Sequence, residues 1–291
     1  DVAKLRDWKD GVISQMTGGL EMLARTRNVR FMQGNASFES TNALRIESAG
    51  GNTSESISFD YAVIATGSRP AAPPDFQVDG DRVLDSTAAL NITDIPASML
   101  VIGGGYIGLE LGTVYAALGS RITVVEMEAG LLPGADRDLL VPLQNRLEHT
   151  FDSILLNTRV DQLKARDEQV MVNLTGPAIE DGTRSFDKVL IAVGRQPNTE
   201  DLGLEHAGVE TNQRGFIETN EQRRTTASHI LAIGDVAGPP WLAHKASAEG
   251  ITAVEHLSEL SPEPMHYDNI PGCTYCHPEV ASVGLTEKMA L

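Results

Sequence analysis

The sequence predicts an α/β chain organised around a dinucleotide-binding βαβ unit, on three observations. The first is a short apolar run, Leu100-Val101-Ile102, that enters the G-x-G-x-x-G turn Gly103-Gly104-Gly105-Tyr106-Ile107-Gly108 and continues with helical spacing. The second is a further apolar run, Ile122-Thr123-Val124-Val125, ending on Glu126. The third is that strand-like runs elsewhere end in small residues with a polar handle: Ala65-Thr66-Gly67, Val193-Gly194-Arg195 and Ile233-Gly234-Asp235. Parallel sheets place ligands at the carboxyl ends of their strands.

Within the βαβ unit, Ile107, Leu111, Val114 and Leu118 share one helical face, and Gly119-Ser120 ends the helix. Gly103 is expected to permit the tight strand-to-helix turn, Gly105 to let the backbone approach a pyrophosphate, and Gly108 to let helix and strand pack closely. The helix N-terminus, with Gly104, Tyr106 and Ile107 around it, offers N–H groups and partial positive charge to phosphates. Glu126 sits where a carboxylate would accept hydrogen bonds from the adenosine ribose hydroxyls. A 2′-phosphate would be repelled there, and Met127-Glu128-Ala129-Gly130 supplies no Arg to receive one. The expected nucleotide is therefore NAD(H), not NADP(H). The competing reading is a glycine-rich turn in an ordinary βα unit.

The chain of 291 residues is long enough for about two domains. It carries 23 basic against 40 acidic residues, a net charge of −17, which argues against nucleic-acid and anionic-membrane surfaces. No apolar run approaches the length of a membrane span. Asp1 opens directly into a polar helical pattern without a targeting segment, and strong motifs arrive in mid-pattern, which suggests an internal fragment. The two cysteines, Cys273 and Cys276, make no disulfide framework and fit a reducing compartment, the cytoplasm.

In chain order, residues 1–27 read as a helix with the apolar stripe Leu5, Trp8, Val12, Ile13, Met16, Leu20 and Leu23. A strand, Val29 to Met32, a turn at Gly34-Asn35 and further β segments through Ile57 follow, then a buried strand, Tyr61 to Ala65. Arg69-Pro70-Ala71-Ala72-Pro73-Pro74 is a stiff connector and a domain crossing. Asp85-Ser86-Thr87 caps a short helix. Leu131-Leu132-Pro133 is a turn, and residues 136–149 are helical. Segments around Leu155, Val170-Met171-Val172 and Phe186 form an antiparallel insertion. A continuous strand, Val189 to Val193, runs into Gly194-Arg195-Gln196-Pro197-Asn198, and a helix runs from Leu242 to about Leu260.

Taken together, these landmarks resemble the two-dinucleotide-binding disulfide reductase family of flavoproteins, and within it the dihydrolipoamide dehydrogenase branch. The resemblance is carried by Trp8-Lys9 with Val12-Ile13, Thr66-Gly67-Ser68-Arg69-Pro70, Gly103 to Gly112, Val124-Val125-Glu126 and Leu132-Pro133 with Ala135-Asp136. It continues through Gly194-Arg195-Gln196-Pro197-Asn198, Ala232-Ile233-Gly234-Asp235, Leu242-Ala243-His244-Lys245 and His277-Pro278-Glu279-Val280-Ala281 with Val283-Gly284. It implies a complete NAD-binding Rossmann-like domain (69–197) inserted in a truncated FAD domain (1–68 and 198–267), with a stub of an α+β interface domain (268–291). It further implies that Ala36, where the family usually has Gly, and Thr66, Gly67 and Ser68 contact FAD. Asp235 would hold the ribityl chain, and Leu242, Ala243 and His244 would lie against the flavin ring. That segment opens a helix, whose N-terminus would favour the negative charge of reduced flavin. Glu126, Val160 and Gly194 match NAD-contacting positions. Glu110 matches an acid that pairs with a Lys near the flavin, and Tyr106 a side chain that covers the flavin in related reductases or else packs. For Glu110 the alternative is a solvated helix residue.

The implied activity is FAD-dependent oxidation of protein-bound dihydrolipoamide through a redox disulfide, with NAD+ as acceptor. The implied partners are the lipoyl domains of 2-oxo acid dehydrogenase or glycine cleavage complexes, and a second copy in a homodimer. The family's C-x-x-x-x-C pair, its first G-x-G-x-x-G and its His-Glu base are not in these residues, so this chain alone is expected to be inactive. Cys273-Thr274-Tyr275-Cys276-His277 fits a C-x-x-C-H haem pattern and half a zinc pattern. Thr274 and Tyr275 favour a strand, in which positions three apart face opposite ways, so neither redox nor metal use is expected. Two alternatives stay open: an NADPH-dependent disulfide or mercuric reductase or pyridine nucleotide transhydrogenase of the same fold, and a non-catalytic nucleotide-binding module.

Overall fold

The computed structural model describes residues 1–48, 50, 53–166, 168–260 and 262–291. They form two compact units: Asp1–Asp10 with Pro70–Arg195 and Pro271–Leu291, and Gly11–Arg69 with Gln196–Ile270.

The first unit is built on a five-stranded sheet in the order Val83–Leu84, Lys188–Ile191, Ser98–Ile102, Arg121–Val125, Ser153–Leu155. Every neighbouring pair is parallel. The continuous apolar runs are explained by burial on both faces. Met99, Val101, Ile122, Val124 and Leu190 point into one core with Leu109, Tyr115, Leu143 and Leu147 of the helices Tyr106–Leu118 and Arg137–Thr150. Leu100, Ile102, Val125, Val189 and Ile191 point into a second core. That core is closed by the antiparallel sheet of Arg159–Arg166, Gln169–Thr175 and Thr183–Phe186. Gln169–Thr175 faces half inward: Val170, Val172 and Leu174 are buried between exposed neighbours, the alternation of a one-sided sheet. Asp85 caps the short helix Ser86–Ala89 as expected, its side chain accepting from the Ala88 N–H.

The second unit pairs Ala62–Ile64 with Ile230–Ala232 in parallel and adds an antiparallel sheet of Asn35–Ser40, Ala43–Glu47 and Ser54–Ser58. Its core gathers Phe38, Ile64, Leu204, Val209, Ile217, Ile230 and Val236. After Ile230–Ala232 the chain makes a 3-10 turn, Gly234–Ala237, and enters the helix Ala243–Leu257.

Several expectations need correction. Val29 to Met32 is not a strand: Asn28 turns left-handed (φ 56°) behind the helix Val2–Thr26, and Phe31 stands 81% exposed without ladder partners. The apolar stripe of that helix is open to solvent, for none of its residues is buried. Tyr61 to Ala65 is not buried throughout. Ile64 enters the core, while Tyr61 and Val63 stay exposed because only one face of the two-stranded pair is covered. Leu155 belongs to the parallel sheet rather than to the antiparallel insertion, which starts at Arg159 after the left-handed Asn157 (φ 50°).

The C-x-x-C-H segment resolves simply. Gly272–Thr274 pairs antiparallel with Val280–Ser282, and Cys276 lies past the strand, buried in the first core with Thr113 Oγ1 donating to its Sγ at 3.8 Å. Burial pushes the Cys276 thiol from its ordinary value of 9.0 up to about 11, the neutral form being the one the fold holds. The group therefore supports stability fully below its unfolded value, and that support is lost as pH rises through about 11. At pH 8 iodoacetamide is expected to alkylate the half-buried Cys273 in the native chain and to spare Cys276 until denaturant is added. Equal native labelling of both, read by mass spectrometry, would contradict this packing.

Candidate functional site

In the first unit the site grows out of the strand Ser98–Ile102. Gly103 turns the chain with φ +111°, where a Cβ would lie 2.3 Å from the Ala192 carbonyl oxygen. A Cβ on Gly108 would lie 2.2 Å from the Gly103 carbonyl oxygen and 3.0 Å from Val101, so helix and turn touch through bare backbone. At Gly104 a Cβ would meet Leu131 at 2.7 Å. Gly105 differs from these three. It is the extended N-cap of the helix, makes no side-chain cap, and a Cβ there would meet no protein atom within 4 Å. The space beside the helix N-terminus is thus left open to a ligand, with first-turn N–H groups facing it. Tyr106 and Ile107 pack partly against the first core, which sets the helix on the sheet.

Glu126 is buried at the end of the next strand. Its Oε2 accepts from the Gly104 N–H at 2.6 Å and its Oε1 from the Glu128 N–H at 2.8 Å. The carboxylate therefore ties the glycine turn to the strand end. About four acceptor directions belong to a carboxylate, so two remain for a ligand diol. Arg137, the guanidinium nearest in sequence after Glu126, is committed elsewhere: it donates to the carbonyls of Leu131 and Leu132 at 2.9 Å each and to that of Ala135 at 2.7 Å.

The other candidates in this unit separate. Gly194 is left-handed at φ +131°, and its carbonyl accepts from the Ala71 N–H. Val160 packs partly against the second core at a register shift of its strand, which gives its side chain a packing role. Glu110, in the second turn of the helix, is half-buried, and its Oε1 accepts from the Tyr275 N–H at 2.7 Å. It is not a solvated helix residue; it fastens the Cys273–Cys276 segment, a contact invisible to spacing because 165 residues separate the partners.

In the second unit, Thr66, Gly67, Ser68 and Asp235 come together. Thr66 and Gly67 are locked on Asn198. Thr66 Oγ1 donates to its carbonyl at 2.7 Å, its Nδ2 donates to the Thr66 carbonyl at 2.9 Å, and its N–H donates to the Gly67 carbonyl at 3.0 Å. Ser68 Oγ donates to Asp235 Oδ2 at 2.5 Å. Leu242 is the N-cap of the helix Ala243–Leu257, with Ala243 and His244 exposed in its first turn. Ala36 lies exposed on the strand Asn35–Ser40, paired with Ile46. Asn198, Lys245 and Glu249 were missed as site residues. Lys245 and Glu249 had a signal, an i,i+4 cation and acid directly after the Gly-Asp turn.

Residues 1–250 match the family model described as pyridine nucleotide-disulphide oxidoreductase. The chain belongs to this family. Among relatives of this chain, a dihydrolipoyl dehydrogenase of Halobacterium salinarum is 42% identical over the whole chain, which covers 61% of that protein. A dihydrolipoyl dehydrogenase of Geobacillus stearothermophilus is 40% identical, again over the whole chain and 61% of the relative. The chain thus spans about three fifths of the length of these relatives. The crystal structure of LpdA from Mycobacterium tuberculosis superposes with a TM-score of 0.91 at 23% identity, covering 99% of this chain and 63% of that one, and shows the shared fold. The HOCl-induced flavoprotein disulfide reductase RclA from Escherichia coli superposes at 0.86 with 29% identity, covering 99% and 64%.

Proposed function

We propose that this chain forms the NAD-binding domain, residues 69–197, and the Asp235 side of the FAD site, residues 1–68 and 198–267, of a dihydrolipoyl dehydrogenase. Residues 268–291 would open the interface domain. The observation that carries the nucleotide assignment is the buried Glu126 carboxylate holding Gly104 beside the open space at Gly105. That arrangement fits an adenosine diphosphate with an unmodified ribose: helix N–H groups for the phosphates, a carboxylate for the diol. Arg137 cannot serve a 2′-phosphate without abandoning three carbonyls, which disfavours an NADPH-dependent reading.

The flavin half rests on Asp235, a carboxylate beside Ser68 at the end of a parallel strand pair, able to accept from a polyol chain. Leu242, Ala243 and His244, at a helix N-terminus, supply partial positive charge. FAD held by Asp235, Ser68 and the helix start at residues 242–244 would supply the two-electron chemistry that links a substrate dithiol to NAD+. The residues of this chain bind and orient the two cofactors; Cys273 and Cys276 are not the redox pair, being three apart with Cys276 packed in a core. In the whole protein the electron donors would be lipoyl domains of 2-oxo acid dehydrogenase or glycine cleavage complexes, and the assembly a cytoplasmic homodimer. Among the described residues no helix is long and apolar enough to cross a membrane.

Titration calorimetry of the chain with NADH and with NADPH tests the assignment. NADH is expected to bind at least tenfold more tightly, about 1.4 kcal/mol of discrimination. No heat with NADH, or a preference for NADPH, would overturn it.

A further inference from the structure

We infer that Lys245 is a positioning residue that clamps the Asp235 turn from beneath; the flavin consequence of this rests on the assignment above. The Lys245 side chain is fully buried, and its Nζ donates to the carbonyls of Gly234 at 3.0 Å and Gly238 at 2.8 Å and to Glu249 Oε2 at 3.2 Å. Those two carbonyls bracket Asp235. The same Glu249 Oε2 accepts from the Gly234 N–H at 2.7 Å, so one buried ion pair holds the turn by its N–H and by both flanking carbonyls. Glu249 Oε1 in turn accepts from Arg223 Nη1 at 3.0 Å and from the Tyr267 hydroxyl at 2.6 Å.

Two physical points make this a clamp rather than filler. Gly234 and Gly238 both have positive φ, +74° and +116°, and glycine gives a turn the least intrinsic rigidity of any residue. The Asp235 carboxylate is therefore aimed only as well as its backbone is held from outside. Second, taking an ammonium out of water is unfavourable, and an apolar side chain would fill the same volume at less cost. What the ammonium alone offers is three donors converging on two carbonyls and a carboxylate. The clamp belongs to the helix Ala243–Leu257 that also opens with Leu242, Ala243 and His244, so a single rigid element places both flavin-facing groups.

The variant Lys245→Met in the full chain tests this, because Glu249 keeps Arg223 as its charge partner and the buried charge stays balanced. Amide exchange over residues 233–239 is expected to accelerate at least tenfold, with the rest of that unit and NADH binding unchanged. FAD affinity, read by quenching of flavin fluorescence with the same substitution in the whole protein, where the FAD domain is complete, is expected to fall at least tenfold. Lys245→Gln, which keeps donors for part of the grip, should be intermediate in both readouts and decides the case if the Met variant unfolds. Exchange that stays at the wild-type rate over 233–239, or rises evenly through the unit, would overturn the clamp, as would a Gln variant no better than Met. A whole protein, its FAD domain completed, that takes up no FAD would instead sink the flavin assignment, while the exchange comparison in this chain still decides the clamp.

Discussion

Gly108→Ala is expected to destabilise the chain by about 2–3 kcal/mol and to abolish NADH binding. Two effects oppose each other. In a helix interior alanine is favoured over glycine by about 1 kcal/mol. Against this, the new Cβ would lie 2.2 Å from the Gly103 carbonyl oxygen, a backbone atom that cannot rotate away. Relief requires the helix Tyr106–Leu118 to retreat, opening the contact of Leu109 and Tyr115 with Val101 and Ile122. Overpacking of this kind costs about 1–3 kcal/mol or more, and here it strikes the backbone, so the clash wins. Gly105→Ala is the control. Its φ of −79° suits alanine and its Cβ would meet no protein atom, so the fold should hold within about 0.5 kcal/mol. NADH affinity should nonetheless fall at least tenfold, since the methyl enters the space kept for phosphate. Urea denaturation followed by circular dichroism, together with calorimetry, separates the two. A Gly108→Ala chain as stable as the wild type would refute the backbone-contact reading, and a Gly105→Ala chain with undiminished affinity would refute the phosphate reading.

The contrast between these glycines shows what was legible in the sequence. The doubly covered sheet could be read because its strands are continuous apolar runs; only burial on both faces tolerates Leu100-Val101-Ile102 without a polar interruption. The glycine turn, the Gly119 stop and the Asp85 cap could be read because each is a local backbone requirement written in one residue. Val29 to Met32 misled because apolar and β-branched residues signal a strand only where a neighbour completes the ladder, and none does there. Leu155 misled through register: a three-residue strand carries too little pattern to tell a parallel edge from an antiparallel one. Glu110 eluded spacing for a different reason, and the i,i+4 spacing of Lys245 and Glu249 marks a pair without showing what it grips. Their roles are set by backbone groups, the Tyr275 N–H and the Gly234 and Gly238 carbonyls, which have no letter in the sequence.

Glu126→Gln is expected to act twice, on stability and on nucleotide choice. The carboxylate accepts from two backbone N–H groups, of Gly104 and Glu128, through different oxygens. Glutamine has one oxygen, so one of those donors must face an NH2 group and go unpaired in a buried site. Charge-assisted bonds of this sort are worth about 1.5–3 kcal/mol, and the expected destabilisation is about 2 kcal/mol, read from denaturant unfolding. The loosened Gly104 then misplaces the turn, while the diol loses its anionic acceptor; together these should weaken NADH at least tenfold. NADPH should change far less, because the repulsion that opposed its 2′-phosphate disappears along with the charge. The ratio of the two affinities is therefore the diagnostic quantity. A ratio that moves toward unity while stability falls identifies Glu126 as both clasp and reader. A ratio that stays fixed would mean that the carboxylate serves the glycine turn alone and that the ribose is read elsewhere.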